Sequence, residues 1–393
     1  MVQEVSGVKK QKLAAEAEEP VLVDLGDRSY PIVFQPLAHI GEELKKVKSP
    51  GKCVLVSNTV VGPLHSKTAL ESLKLAGWSP EYYEIPDGEK NKNAETYLNL
   101  VNKLLDFKID RKTPVIALGG GVTTDIVGFA AATTLRGIPF ANIPTTLLAM
   151  VDASVGGKTG VNTAHGKNLL GAFWQPILVH AAVDTLETLD DAELRCGLGE
   201  VIKHGVLNEV QNEEGAWIPS NAFMDWIEEN GSKLAGRDPD ALKYAIRRSC
   251  EIKAAIVKQD ERESGKRALL NLGHTVGHAI ENVVGYGTLR HGEAVAIGTI
   301  AETQLALLRG KCKDDSLPER IAKVLRACSL PTGIKGVSID ELMKAVLMDK
   351  KREASTITVT VPISIGNVAL EKMKPEDLRP AFEKLTANVN LCK

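Results

Sequence analysis

The stretch VIALGGGVTTDIVGFAAAT, Val115–Thr133, decides the fold. Val115–Leu118 is a short apolar run, Gly119, Gly120 and Gly121 form a turn, and Ile126–Thr133 has helical character. The order is buried strand, tight glycine turn, helix. Glycines let the backbone approach a phosphate closely, and a helix N-terminus favours negative charge. The spacing is not Gly-x-Gly-x-x-Gly, so both a dinucleotide loop and a plain tight turn satisfy it.

Outward from this stretch the same alternation continues. Val21–Leu25 and Tyr30–Phe34 flank a turn signal at Gly26-Asp27 and read as a hairpin. Cys53–Val56, Tyr82–Ile85 and Phe140–Ile143 read as strands, Leu64–Ala76 and Ala94–Phe107 as helices. Strands spaced by helices predict a mostly parallel sheet with helices on its faces. From about Leu186 the pattern becomes helical, over Ala192–Val206, Phe223–Asn230, Ala241–Val257, Arg267–Val284 and Glu293–Leu308. A strand pair, Thr356–Val361 and Gly366–Leu370, follows. The chain of 393 residues exceeds one usual core. The expected division is a disordered tail over 1–20, an α/β domain over 21–184, and a mainly α-helical domain over 185–393.

Charge is nearly balanced at −2, with no excess of Lys and Arg to neutralise a nucleic acid. The six cysteines are scattered, without Cys-x-x-Cys, and read as free thiols of a reducing compartment. No window reaches the roughly 18 apolar residues of a membrane span. The polar N-terminus lacks an apolar core, and its acidic residues disfavour a transit peptide.

Three of the eight histidines cluster at His274, His278 and His291. On a helix, His274 and His278 stand one turn apart on one face. Such a pair can hold a divalent metal, divide metal and acid–base roles, or simply be satisfied surface histidines. Glu200 could add a carboxylate, and its spacing from Lys203 equally suits a surface ion pair. Lys158, Lys167 and Asn168 lie in a glycine-rich segment suited to an anionic substrate. That segment lacks the full P-loop pattern, because Asp152 stands five residues before Gly157. Glu89 and Lys92 follow a Pro86-Asp87-Gly88 turn and can serve either a nucleotide or solvent. The charge run at 260–263 reads as a solvated turn.

Assembled, the segments resemble the 3-dehydroquinate synthase family of sugar-phosphate cyclases. The resemblance runs from about Val21 to Leu370, with both halves in order. Its motifs here are LGGGV (118–122), IPTTLLAMVDASVGGKTGVN (143–162), GKNLLGAFWQP (166–176), GEVIKHG (199–205), DERESGKRALLNLGHTVGHAIE (260–281), HGEAVAIG (291–298) and MDKK (348–351). It implies a Rossmann-like α/β N-terminal domain that binds NAD, and a mainly α-helical C-terminal domain for metal and substrate. It implies a phosphorus–oxygen lyase of the shikimate pathway, leading to chorismate and aromatic amino acids. The reaction converts 3-deoxy-D-arabino-heptulosonate 7-phosphate to 3-dehydroquinate and phosphate. Its steps are transient oxidation by NAD, phosphate elimination, re-reduction, ring opening and an intramolecular aldol.

Carried over by motif, the resemblance implies Zn²⁺, replaceable by Co²⁺, on Glu200, His274 and His291. His278 then faces substrate rather than metal. Asp152, Lys203, Lys253 and His278 form the catalytic set. Lys158, Lys167, Asn168, Arg267, Asn271 and Lys350 bind substrate, with Arg136 reaching in from a homodimer partner. NAD would meet Asn58, Glu89, Lys92, Gly120, Gly121, Val122, Asp125, Thr145, Thr146, Leu148 and Thr188. The resemblance implies a cytoplasmic enzyme with a small sugar-phosphate substrate and no nucleic-acid or membrane partner. Thr123-Thr124, Ala153, Gly199, Val60 and Asp190 depart from the usual family pattern. The alternatives are a sister cyclase acting on an aminated heptulosonate or on sedoheptulose 7-phosphate, an NAD-dependent alcohol or glycerol dehydrogenase, and a non-catalytic sensor.

Overall fold

The structure, a computed structural model, describes residues 19–211, 217–285, 289–349 and 356–387. The tail expected over 1–20 lies, up to residue 18, outside the described residues, and so does Lys350. Two compact units are present. The first comprises Met1–Leu189 with Leu242–Arg262, and the second Asp190–Ala241 with Glu263–Lys393. The single boundary expected at 184/185 lacks this interleaving, because one long helical segment groups with the sheet that precedes it.

The first unit is built on a seven-stranded sheet. Its strands are β1 (Val21–Val23), β2 (Tyr30–Val33), β3 (Lys52–Asn58), β4 (Ser79–Ile85), β5 (Val115–Gly119), β6 (Phe140–Pro144) and β9 (Leu178–His180). Their order is β1-β2-β9-β6-β5-β3-β4. Only β1 and β2 pair antiparallel, as the hairpin reading requires, and the other pairs are parallel. The helices here are α1 (Ile40–Val47), α2 (Gly62–Leu75), α3 (Ala94–Asp106) and α4 (Gly121–Thr133).

Alternate residues of the central strands face opposite ways. Cys53, Leu55, Ile116, Leu118, Ala141 and Ile143 pack with Ile40, Leu44, Ala69 and Leu73 from α1 and α2. Val54, Val56, Val115, Ala117 and Phe140 pack with Leu100, Leu104, Ile126 and Val127 from α3 and α4. Both faces are therefore covered, which is why these strands read as continuous apolar runs rather than alternating ones.

The glycine-rich segment after β6 is not a loop. It forms an antiparallel hairpin of β7 (Lys158–Thr163) and β8 (Gly166–Phe173). Gly160 and Gly171 face one another there, and a Cβ on Gly171 would stand 2.2 Å from the Thr159 carbonyl oxygen. The glycines thus permit strand contact.

The second unit contains α5 (Asp191–Leu207), a short hairpin β10 (Glu209–Gln211) with β11 (Trp217–Pro219), and α6 (Ala222–Ala235). Helix α7 (Pro239–Gln259) follows, most of it in the first unit. Then come a 3₁₀ turn Lys266–Asn271, α8 (His274–Val284), α9 (His291–Leu308), α10 (Leu317–Ala327), α11 (Ile339–Asp349), the hairpin β12 (Ile357–Ser364) with β13 (Asn367–Met373), and α12 (Arg379–Ala387). The single helix expected over Arg267–Val284 is therefore two elements. Gly273 breaks it with φ +78°, a left-handed conformation that favours glycine. Arg267 and Asn271 accordingly do not share a helix face with His274.

Candidate active site

In the first unit the candidate cofactor residues gather at the C-terminal ends of β3, β5 and β6. The chain runs from β3 outward to β4, then returns to the other side of β3 as β5. The strand order thus reverses between β3 and β5, where open α/β sheets bind ligands. Asn58 ends β3 and is buried. Its Nδ2 donates to Thr123 Oγ1 at 3.1 Å, and its Oδ1 accepts from the amides of Val60 and Val61. Gly120 caps α4 without a side-chain hydrogen bond. The first amides of α4 therefore remain available to an anion. A Cβ on Gly119 would stand 2.6 Å from Thr123 Oγ1, so the turn closes tightly on its own helix. Thr145 N donates to the Gly119 carbonyl at 3.0 Å, which ties the β6 end to the turn. Thr146 Oγ1 accepts from Ala149 N at 3.2 Å.

A polar chain continues from there. Lys92 is buried and donates to Asp125 Oδ2 at 2.5 Å and to Asn168 Oδ1 at 2.6 Å. Burial pushes the Asp125 carboxyl up from its ordinary value, against the opposing pull of the Lys92 charge. Glu89 Oε1 accepts from Asn162 Nδ2 at 2.7 Å, and Asn162 Oδ1 accepts from Asn168 N at 2.9 Å. Asn168 holds a left-handed φ of 55°. Thr188 Oγ1 lies 2.8 Å from His65 Nε2, a contact the motifs did not suggest. Val122 and Leu148 are half-buried beside these groups, and Lys158, Lys167 and Arg136 are exposed.

Asp152 sits in a π turn, Ala149–Ala153, closed by Ser154 N donating to the Ala149 carbonyl at 3.1 Å. Such turns accompany functional positions in helices. Lys253 on α7, 5 % exposed, donates to the Asp152 carbonyl at 2.6 Å and to Asp152 Oδ1 at 2.5 Å. The pairing comes from the segment that joins the first unit out of sequence.

In the second unit Glu200, His274 and His291 come together. Their ligand atoms all lie within 4.8 Å of one another. Glu200 is fully buried, and its Oε1 stands 3.8 Å from Nε2 of both His274 and His291. That separation is too long for hydrogen bonds. It is close to the roughly 3.3 Å between donors that share a tetrahedral ion at about 2.0–2.1 Å. His274 Nδ1 is 3.1 Å from the Leu272 carbonyl, and His291 Nδ1 is 3.1 Å from Glu281 Oε2. With both Nδ1 atoms engaged, the Nε2 lone pairs face Glu200, the arrangement that orients metal-bound imidazoles. The donor set fits a divalent ion.

Backbone contact through glycines sets this geometry. A Cβ on Gly292 would stand 1.8 Å from the Cys196 carbonyl oxygen, and one on Gly199 2.2 Å from the Gly292 carbonyl oxygen. Helices α5 and α9 therefore touch beside Glu200 and His291. A Cβ on Gly298 would stand 2.0 Å from the Gly273 carbonyl oxygen, which brings α9 against the start of α8 beside His274.

Burial, then the Lys203 charge and the neighbouring imidazoles, hold His274 well below its ordinary pKa, so it is neutral. Burial also opposes the charged form of His291. There the Glu281 hydrogen bond and the Glu200 charge outweigh it, and the net direction is upward. Lys203, 1 % exposed, forms an ion pair with Glu200 Oε2. A surface pair was the plain expectation for that spacing, and the pair is buried instead. The His278 ring lies 5.5 Å from His274 and 5.8 Å from His291, centroid to centroid, outside the Glu200 group. Arg267, 1 % exposed, sits in the 3₁₀ turn. Asn271 donates to Glu263 Oε1 at 3.2 Å, so one acid of the charge run joins the candidate residues. In the first unit, Glu261 accepts from Arg28 and from Gln175 Nε2 at 3.0 Å, so it is tied rather than simply solvated.

Known proteins share this arrangement of sequence. The family model described as 3-dehydroquinate synthase N-terminal matches residues 82–196, and that described as 3-dehydroquinate synthase C-terminal matches residues 197–352. The 3-dehydroquinate synthase of Desulforamulus reducens is 45 % identical, over 90 % of this chain and 96 % of its own length. That of Nitrosomonas europaea is 45 % identical over 96 % of this chain and 99 % of its own. Among solved structures, a 2-epi-5-epi-valiolone synthase from Streptomyces hygroscopicus subsp. jinggangensis, with NAD⁺ and Zn²⁺ bound, superposes with a TM-score of 0.80. It is 29 % identical and covers 92 % of this chain and 98 % of that one. With both family models matched in tandem and full-length relatives at this identity, the chain belongs to the 3-dehydroquinate synthase family.

Proposed function

We propose that the chain converts 3-deoxy-D-arabino-heptulosonate 7-phosphate to 3-dehydroquinate and phosphate, using a zinc ion and NAD, the latter regenerated within each turnover. The observation that carries the metal part is the buried Glu200 carboxylate, 3.8 Å from two imidazole nitrogens whose other nitrogens are engaged. The family relatives carry the choice of reaction.

Glu200, His274 and His291 would hold the ion, and Asn58, the Gly120–Val122 turn, Asp125, Thr145 and Thr146 would hold NAD. When bound, the two groups supply a Lewis acid for a substrate hydroxyl and a reversible hydride acceptor. The chain's own residues do the rest. The α4 N-terminus accepts the dinucleotide phosphates through free amides. Lys253 and Asp152 already share a proton-bearing contact, which suits stabilising an alkoxide as hydride leaves. Lys203 adds positive charge beside the Glu200 carboxylate. Lys158, Lys167, Asn168, Asn271 and His278 bind the substrate phosphate, which departs by elimination after a neighbouring ketone acidifies the C–H bond. Arg267 binds the substrate carboxylate through two parallel hydrogen bonds, a geometry Lys does not reproduce. Lys350 belongs to the phosphate set by motif. The enzyme acts as a homodimer in the cytoplasm, where Arg136, exposed in one chain, serves its partner.

The test supplies the purified protein with Zn²⁺, trace NAD and the heptulosonate. Phosphate should accumulate over many turnovers with no net NADH absorbance, and Arg267→Lys should lower kcat/KM roughly 100-fold. One NADH released per product would identify a dehydrogenase instead. Efficient cyclisation of sedoheptulose 7-phosphate would place the chain on another branch.

A further inference from the structure

Helix α8 begins at His274 and has no ordinary cap. Its N-cap is Gly273, at φ 78° and ψ −14°, without a side chain to accept the first-turn amides. A cap residue cannot be installed there. The backbone is left-handed, and a Cβ would stand 2.5 Å from both Thr299 Oγ1 and the Val295 carbonyl oxygen. The first amides of a helix have no intrahelical acceptor, and leaving them buried and unmet is costly.

Glu302 meets them from the neighbouring helix α9. It is fully buried, with Oε2 2.6 Å from Gly273 N and Oε1 3.3 Å from Val276 N. Val276 is the third residue of α8, whose amide an N-cap side chain would ordinarily bond. The carboxylate also places negative charge at the positive end of the helix dipole. Glu302 is outside the Glu200 group and carries no motif role.

We propose that Glu302 is a positioning residue for the metal site. It fixes the first turn of α8 and thereby the His274 imidazole, whose Nδ1 bonds the Leu272 carbonyl just before that turn. The inference rests on the metal reading given above. It makes Glu302 and the ion energetically coupled: each favours the arrangement the other needs, and coupling of this kind is reciprocal.

Co²⁺ is titrated into metal-free wild type and Glu302→Gln, following the visible d–d bands. Gln keeps the size, but its amide NH₂ opposes one of the two backbone donors. The expected result is a loss of Co²⁺ affinity of roughly tenfold or more, the usual scale for residues behind a metal ligand, with a shifted spectrum. Thermal unfolding of the metal-free proteins is read alongside. A lower Tm with unchanged Co²⁺ affinity and spectrum would make Glu302 a plain helix cap and overturn the inference. Should the variant not fold, hydrogen exchange on wild type decides. Zn²⁺ must slow exchange at the Gly273 and Val276 amides, and unchanged rates there overturn the coupling. Failure of wild type to bind Co²⁺ at all overturns the metal reading and this inference with it.

Discussion

His180 is a case where one buried side chain ties the sheet to pH. It lies in β9, fully buried, with Nε2 3.1 Å from the Pro36 carbonyl. Burial pushes its pKa down to about 4, although the Pro36 carbonyl and the charges of Glu43 and Asp184 pull the other way. An unfolded histidine titrates near 6.5. Between those values the unfolded chain holds the extra proton, so stability falls as pH falls through this window, by about 2 kcal/mol at pH 5. His180→Gln keeps an N–H for Pro36 and does not titrate. Urea midpoints at pH 7 and pH 5 should therefore separate more in wild type than in the variant, and equal separations would remove His180 as the cause. Such burial is invisible in sequence, as the Glu200–Lys203 pair also shows. Spacing says that the two side chains meet on α5, but not that the helix is covered on that side. Thr123 is another instance. It is fully buried, receives the Asn58 hydrogen bond and packs on the Gly119 turn.

At the scale of elements, each candidate metal ligand adjoins a glycine pressed against another backbone: Gly199 beside Glu200, Gly273 beside His274, and Gly292 beside His291. Side-chain chemistry alone would not hold three ligands from three helices; close helix approach does. Gly292→Ala tests this directly, because its Cβ would stand 1.8 Å from the Cys196 carbonyl oxygen, a backbone atom with no rotamer to yield. The helices must part, at a cost of about 1–3 kcal/mol typical of overpacking. Zn²⁺ should then restore less of the stability than it gives wild type, measured as the rise in Tm on adding metal. An undiminished rise would mean that α5 and α9 can separate without moving His291. A Cβ on Gly199 would likewise stand 2.2 Å from the Gly292 carbonyl oxygen, so α5 rides closer to α9 than a methyl group allows. The motifs located these helices, but the glycine at 273 read as part of a continuous helix. Apolar periodicity runs straight through it, and only its left-handed backbone reveals the break.

At the scale of the molecule, the parallel sheet was legible because both its faces are buried, and that leaves apolar runs punctuated by glycine turns. The second half was legible as helical from its periodicity. The ownership of α7 was not, since amphipathic period says that a helix packs and not against what. The contacts answer that. Cys250 Sγ lies 3.3 Å from the Met150 carbonyl, Lys253 holds the Asp152 turn, and Lys258 Nζ pairs with Asp24 Oδ2 at 2.7 Å. The Arg247 guanidinium lies 5.9 Å from the Phe34 ring centre. The first unit is thus incomplete at residue 189. A fragment of residues 19–189 leaves the Asp152 turn without Lys253, the Met150 carbonyl without Cys250 and Asp24 without Lys258. It should unfold in urea without a cooperative transition. Joining residues 242–262 to it restores these contacts. A flexible Gly/Ser linker of about 15 residues, spanning roughly 20 Å, makes the join. The joined fragment should show a single sigmoidal transition by circular dichroism. If 19–189 alone unfolds cooperatively with the same midpoint, α7 is a passenger on the first unit, and that unit's folding does not depend on the Lys253–Asp152 contact.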